Sequence, residues 1–199
     1  MSEVERKYED FKIGEIIPRG WIYEQLRRDR DGFVGHLDEL ANEEVGSRIF
    51  ISNDSKEFID KNMQNDKEHN WWNGESEGNW LDAIINLAYL LDSEELKQKI
   101  HSYVSELLRV KGDESYLGVY PSGYRYVEEF IDGELWTQSR IILAMLSYYT
   151  TTNNSEVLEL IKKAADKTVE ICTKKFKTSG IFNYRNLNAW GHGLMIVEP

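Results

Sequence analysis

Residues 80–107, WLDAIINLAYLLDSEELKQKIHSYVSEL, decide the fold of this chain. Apolar residues recur every three or four positions up to Leu91, which predicts a helix with one buried face. The same spacing resumes at Leu96, after the polar pair Asp92 and Ser93. The stretch therefore predicts two antiparallel helices joined by a very short turn.

A second helical hairpin is predicted further along the chain. Residues 135–149 and 157–172 show the same helical spacing, and TTTNNS between them forms the turn. The tetrapeptide LAYL at 87–90 matches LAML at 143–146, an offset of 56 residues (143 minus 87). Helix pairs that repeat at a fixed period predict an array or toroid of hairpins.

The whole chain, residues 1–199, is predicted to be one partial domain. Short helices and a long loop occupy 1–70, the first hairpin spans 71–110, the second spans 134–173, and 186–199 begin a third. Hairpins of this kind bury their apolar faces only against neighbours, and these cover about half of a ring. We expect the N-terminal part of a longer toroid, with self-association through exposed apolar helix faces as the alternative way to complete it.

Glycine-bearing loops are predicted before the first helix of each hairpin. They read WWNGESEGN from residue 71, EEFIDGE from residue 128 and NYRNLNAWGH from residue 183. Longer loops are predicted at 46–70 and at 111–133, and the latter is compatible with a short β-hairpin. Because the first helices of a toroid all point the same way, the three glycine-bearing loops converge on one rim, where we expect a pocket.

Composition excludes several classes of function. The net charge of -11, from 35 acidic and 24 basic residues, disfavours nucleic acid and anionic membranes as partners. No secretory signal and no apolar run of ~20 residues occurs, which predicts a cytoplasmic protein without a membrane span. The single cysteine, Cys172, excludes an internal disulfide and is interpreted as a small core residue. No metal site is predicted in this chain, since no His and Cys pair has metal-ligand spacing.

The predicted rim combines residue types that bind carbohydrate. Aromatic faces stack on the apolar faces of sugar rings, while carboxylates and an imidazole exchange hydrogen bonds with hydroxyls. Paired carboxylates also suit acid/base cleavage of a glycosidic bond. The candidate substrate-binding residues are Trp71, Trp72, Glu75, Glu77, Trp80, Tyr124, Glu134, Trp136, Trp190 and His192.

Several candidates also have a purely structural interpretation. Trp80 and Trp136 each begin an apolar stripe, which is typical of core residues. Glu75 and Glu77 fit the N-terminal charges that a helix dipole favours. His192 lies between two glycines, which leaves its ring free of bulky sequence neighbours and favours a site role.

Four segments resemble a known family. They are PRGWIYEQL from residue 18, GFVGHLDEL from 32, WWNGESEGNWLDAIINLAYLLDSEEL from 71 and DGELWTQSRIILAMLSYYTTTNN from 132. Together they are similar to the N-terminal half of glycoside hydrolase family 127, the β-L-arabinofuranosidase-like proteins. The resemblance implies an (α/α)6 barrel of the six-hairpin glycosidase type. It also implies retaining hydrolysis, with a zinc-held cysteine as nucleophile and a glutamate as acid/base.

The resemblance assigns no catalytic residue to this chain. The family's nucleophile, acid/base and zinc ligands belong to the later half of its barrel, and Cys172 has no matching context. The second inner helix of better-studied relatives resembles HELYCAGH where this chain reads GELWTQSR, so Arg140 replaces a pocket histidine and joins the candidate substrate-binding residues. His192 still resembles a pocket histidine of the family, and Glu75 and Glu134 fall on the matching rim.

The sequence thus predicts an all-α, incomplete (α/α)6 toroid that supplies one side of a carbohydrate pocket in a glycoside hydrolase-like protein. We expect no cleavage by this chain alone, and zinc only in a complete family member. One alternative is a sugar epimerase or isomerase, which would use rim histidines as proton shuttles. Another is a non-catalytic sugar-binding remnant or a truncated fragment.

Overall fold

The structure is a computed structural model that describes residues 11–62, 70–112, 114–127 and 131–176. Within these ranges the chain is helical, and a 3-10 turn, Ser122–Tyr124, links two of the long helices. No β-strand occurs in them, so the described part of 111–133 does not contain the β-hairpin considered for it. The helices are α1 (Gly20–Asp31), α2 (Phe33–Leu40), α3 (Ile49–Ser52), α4 (Lys56–Asn62), α5 (Asn70–Leu90), α6 (Glu94–Lys111), α7 (Ile131–Thr152) and α8 (Ser155–Phe176).

Both predicted hairpins are present, as the pairs α5 and α6, and α7 and α8. A residue in the left-handed conformation follows the first helix of each pair. Asp92, with a φ of 52°, lies two residues after the end of α5, and Asn153, with a φ of 53°, comes directly after α7. Short polar side chains such as these tolerate that conformation better than other non-glycine residues. The two turns therefore use the same device to reverse the chain within a few residues.

The stretch WWNGESEGNW is helical, so its prediction as a rim loop is wrong. α5 begins at Asn70, ten residues before Trp80, where the helix was expected to open. The two glycines that suggested a loop instead allow close helix packing. A Cβ on Gly74 would lie 2.4 Å from Val119 and 2.9 Å from Thr137, and one on Gly78 would lie 2.6 Å from the Cβ of Arg140. Tertiary packing here overrides the low helix propensity of glycine.

Helices α5 and α7 run parallel, because Gly74 lies beside Thr137 and Gly78 lies beside Arg140 and Ile141. This arrangement agrees with the expectation that the first helices of the hairpins point the same way. The N-terminal ends of both helices accordingly lie at the same end of the molecule, as the rim hypothesis requires.

The segment 46–70 was predicted to be a long loop, and this is wrong for much of its described part. It contains the short helices α3 and α4. Ile49 and Phe50 of α3 are fully buried and belong to the main apolar core, which explains why this polar segment is ordered around them. A run of only three consecutive apolar residues, Ile49, Phe50 and Ile51, gives no helical period, so the pattern could not predict α3.

The apolar core lies between the long helices. It includes Ile84, Ile85 and Leu87 of α5, with Ile141 and Met145 of α7, and these residues are almost completely buried. Outer helices α6 and α8 cover it with their own apolar stripes. By contrast, Leu143, Leu146 and Val169 are exposed in the described structure. The predicted third hairpin at 186–199 lies outside the described residues.

Candidate carbohydrate-binding groove

Helix α5 carries a polar stripe along one face. Its members follow one another at spacings of four, three and four residues, which places them on one side of a helix. That side is roughly opposite Trp80, because each residue turns the helix by about 100°. All four side chains are partly or fully exposed, and they are Glu75, Asn79, Asp82 and Asn86.

Helix α7 contributes the neighbouring wall. The Ser147 hydroxyl donates a hydrogen bond of 2.6 Å to Oδ1 of Asp82. The Asn86 amide donates to the same oxygen over 3.2 Å, so the Asp82 carboxylate joins the two helices. Beside them, the guanidinium of Arg140 lies 4.2 Å from the ring centre of Trp136, in a cation–π contact.

Three of the predicted site residues lie on these two helices, at the candidate groove between them. Glu75 belongs to the polar stripe, while Trp136 and Arg140 form the stacked pair on the adjacent helix. Trp72 is 52 % exposed one turn before Glu75. The groove offers carboxylate and amide oxygens, amide and guanidinium donors, and an aromatic ring, which is the mixture that a polyhydroxylated ring requires.

Glu77 does not lie in this groove. Its side chain is fully buried between α5, α3 and α6. The Tyr103 hydroxyl donates to its Oε1, and the backbone N–H of Ile49 donates to its Oε2 over 2.6 Å. Burial raises the pKa of Glu77 to about 8, against these hydrogen bonds and the nearby Arg48 charge, which lower the pKa. In the described structure Glu77 joins three helices, and a direct substrate contact stays a prediction.

Glu134 is also fully buried, near the start of α7. Its carboxylate accepts hydrogen bonds from the Tyr116 hydroxyl over 2.6 Å and from the Tyr126 N–H over 2.5 Å. Burial and the Glu134 charge both raise the pKa of Tyr116 well above its usual value, which keeps this phenol protonated as a donor. Glu134 thus attaches the segment 114–127 to α7, and its predicted substrate contact stays untested.

Trp80 occupies the core, as its structural interpretation expected. It is only 7 % exposed, and its indole N–H donates to the Val34 carbonyl over 2.8 Å. Tyr124 is partly buried against the same apolar core. The Trp71 side chain and all of Trp190 and His192 lie outside the described residues, so their predicted roles remain predictions.

An ionic cluster fixes the segment that precedes α7. The ammonium of Lys111 is fully buried and lies 2.6 Å from Oδ1 of Asn53 and 3.0 Å from Asp54. Arg125 also binds Asp54, and the N–H of Ser122 donates to Oδ1 of Asp54 over 2.9 Å. Burial alone would raise the pKa of Asp54, but these hydrogen bonds and charges hold it below its ordinary value.

Asn79, Asp82, Asn86 and Ser147 are groove residues that the sequence reasoning missed. The signal was present, because polar residues recur at helical spacing along an otherwise apolar helix. Polar residues at helical spacing are also typical of an ordinary solvent-exposed helix face, so they did not stand out as a binding site.

The described residues do not fit a zinc site. They contain no group of three or more His, Cys, Asp or Glu side chains placed to hold a metal ion. Cys172 packs against an apolar cluster that contains Tyr116, Tyr126 and Leu135, as a core cysteine does. We therefore derive no catalytic step through zinc for this part of the chain.

Comparison with known proteins supports the class that this fold suggests, an all-α glycosidase domain. A family model described as the β-L-arabinofuranosidase, GH127 catalytic domain matches residues 30–184. The match covers 155 of 199 residues (184 minus 30, plus 1), and the chain belongs to this family. It is therefore a glycoside hydrolase-like protein, as the resemblance of its motifs implied.

Two other comparisons gave no match, since neither a curated protein nor a solved structure is similar enough to report. Among the described residues, none of the helices combines the length and the hydropathy that crossing a membrane requires.

Proposed function

We propose that this chain forms one wall of the carbohydrate-binding groove of a GH127-type catalytic domain. The polar stripe of α5 carries the proposal, because four hydrogen-bonding side chains share one partly exposed face of a helix whose opposite face, with Leu81 and Ile84, is buried in the core. Family membership makes carbohydrate the expected ligand of the groove.

Each part of the groove has a chemical role in this proposal. The Glu75 and Asp82 carboxylates accept hydrogen bonds from sugar hydroxyls, and the Asn79 amide both donates and accepts. Trp136 offers an aromatic face whose orientation is fixed by the stacked guanidinium of Arg140. These residues bind and orient a sugar ring, and bond cleavage is not assigned to them.

The test is to titrate the 199-residue chain with methyl β-L-arabinofuranoside and to measure binding by isothermal titration calorimetry. Asn79→Ala should weaken binding by about 5-fold, since one hydrogen bond contributes ~1 kcal/mol. Arg140→Gln should weaken it similarly by releasing the Trp136 ring. Ser76→Ala, an exposed change on the same helix but outside the stripe, is the control and should leave the dissociation constant unchanged.

If the Asn79→Ala and Ser76→Ala variants bound the sugar with the same dissociation constant, the proposed binding site at the groove would be wrong. Release of free arabinose during the titration would contradict the assignment of binding without cleavage. The epimerase alternative requires histidines at the groove, and the two described histidines lie on other helices. His36 is on α2 beside Glu39, and His101 is on α6, where its Nδ1 lies 2.7 Å from the Tyr148 hydroxyl.

A further inference from the structure

A second concave site lies on the opposite side of α5 from the groove. It is a cavity of about 360 Å³ between α5 and α6, beneath α2 and the turn that follows α2. Trp80, Leu81 and Ile84 line it from α5, and these side chains point away from the polar stripe. Because one helix separates the cavity from the groove, a ligand cannot occupy both at once.

The polar groups of the cavity cluster at one edge. The Lys99 ammonium lies 2.8 Å from Oδ1 of Asp38 and 3.1 Å from the Gly35 carbonyl oxygen. Asn42 and Ser102 also line the cavity, and each can donate and accept a hydrogen bond. A carboxylate beside an ammonium matches two adjacent hydroxyls, because each hydroxyl can donate to the first and accept from the second.

The charges that line the cavity are matched inside the protein. Lys99 is paired with Asp38, and the Arg48 guanidinium lies 2.6 Å from Glu106 and over the ring of Tyr103. No unmatched charge is therefore left to attract a strongly ionic ligand. The floor is apolar and aromatic, and its residues Trp80, Leu81 and Ile100 are 7 %, 1 % and 2 % exposed, so each presents only a small surface to the cavity.

From this geometry we infer that the cavity binds a neutral monosaccharide, at a site separate from the groove of the catalytic domain. Its volume lies toward the small end of the ~300–1,000 Å³ range of ligand pockets, which suits one sugar ring rather than a chain. The polar edge binds a vicinal diol, and the small accessible apolar surface of the floor contacts the ring.

The experiment is an amide chemical-shift titration of the full chain with L-arabinose and D-galactose, with D-galacturonate as the charged comparison. The amides of Lys99 and Ser102 report on the cavity, whereas those of Asn79 and Asp82 report on the groove. We expect shifts at the cavity amides with a dissociation constant of order 1 mM, as for a ligand of this size in a shallow site. We also expect D-galacturonate to bind there more weakly than the neutral sugars.

Ser102→Tyr tests the assignment, because the larger side chain fills the cavity from an exposed position of α6. It should weaken binding at the cavity at least ~10-fold and leave the groove shifts intact. The control is Ser105→Tyr, an exposed position of the same helix that does not line the cavity, and it should change neither set. Circular dichroism confirms that both variants fold.

The inference is overturned if neutral sugars cause no shift at Lys99 or Ser102 at about fifty times the expected dissociation constant. Equal binding by the two tyrosine variants, or tighter binding of D-galacturonate, also overturns it. If the sugars shift the amides of Lys99 and Ser102 but not those of Asn79 and Asp82, the groove proposal is contradicted and the cavity proposal is not. The two proposals therefore fail separately.

Discussion

The hydroxyl of Tyr103 on α6 donates a hydrogen bond to the buried carboxyl of Glu77 on α5. The other oxygen of the same carboxyl accepts the N–H of Ile49, at the start of α3. One side chain therefore satisfies donors from two other helices, in a region where an unpaired donor would be costly. This contact attaches the N-terminal region to the first hairpin.

Removing that carboxyl should destabilise the fold strongly. Glu77→Ala leaves the Tyr103 hydroxyl and the Ile49 N–H buried without this acceptor, and should lower the free energy of unfolding by about 2–4 kcal/mol. Glu77→Gln keeps an oxygen and adds an amide, so it should cost less than about 1 kcal/mol at neutral pH. Urea unfolding measures both. Glu75→Ala, two residues away and partly exposed, is the matched control and should change stability by about 0.5 kcal/mol or less.

Stability should also depend on pH through Glu77. Its folded pKa of about 8 lies above its ordinary value of 4.5, so between these values the folded state holds a proton that the unfolded state has lost. The contribution of Glu77 is therefore fully present below about pH 4.5 and disappears as the pH rises through 8. Its slope is at most about 1.4 kcal/mol per pH unit.

Comparison with Glu77→Gln isolates this effect from the other titrating groups. Urea unfolding of both proteins from pH 5 to pH 9 should show the wild type losing stability relative to the variant as the pH rises. A difference that stays constant over this range would mean that Glu77 is ionised in the folded state throughout.

Gly78→Ala should destabilise the chain although alanine is the better helix former. The new Cβ would lie 2.6 Å from the Cβ of Arg140, so α5 and α7 must separate. We expect a loss of about 1–3 kcal/mol in the free energy of unfolding, against a propensity gain of ~1 kcal/mol. Gly123→Ala is the control, because no atom lies within 4 Å of the added group. A stabilised Gly78→Ala variant would contradict the close packing of these helices.

Lys111→Met should cost about 2–4 kcal/mol, because it removes the buried ammonium from Asn53 and Asp54 and leaves their oxygens partly unpaired. Lys163→Met changes an exposed lysine of α8 and should be nearly neutral. Thermal unfolding of the two variants makes the comparison. Equal melting temperatures would show that Arg125 and Ser122 satisfy Asp54 without Lys111.

The sequence was sufficient to predict the long helices and their pairing. The apolar period from Trp80 onward and its repeat from Leu135 reflect burial of one face of each helix, and this determines helix formation directly. The turn residues Asp92 and Asn153 could be located for the same reason, because they interrupt that period.

The start of α5 could not be predicted from local pattern. Gly74 and Gly78 suggest a loop when the sequence is considered alone. They are glycines because Thr137 and Arg140 of α7 leave no room for a side chain at these positions. Short helix α3 was missed because its three consecutive apolar residues are too few to show a period.

Glutamate roles were equally hidden in the sequence. Glu75 and Glu77 look alike in the sequence, yet one is partly exposed on the polar stripe of α5 and the other is buried between three helices. Side chains two positions apart on a helix point in directions that differ by about 200°, so these two side chains must face different surroundings. Which of them faces the groove depends on where α7 packs, and this is a tertiary property. The spacing of Asn79 and Asp82 indicates that they share a helix face with Glu75, but which neighbouring helix that face meets depends on the same packing.

The ionic cluster around Lys111 has a consequence for the order of folding. Its contacts join residues that are 57, 58 and 71 positions apart, whereas each helical hairpin closes over a few residues. Local hairpins form quickly and such distant contacts form late. The cluster therefore slows unfolding more than it speeds folding. Variants that remove it should raise the unfolding rate and leave the refolding rate nearly unchanged.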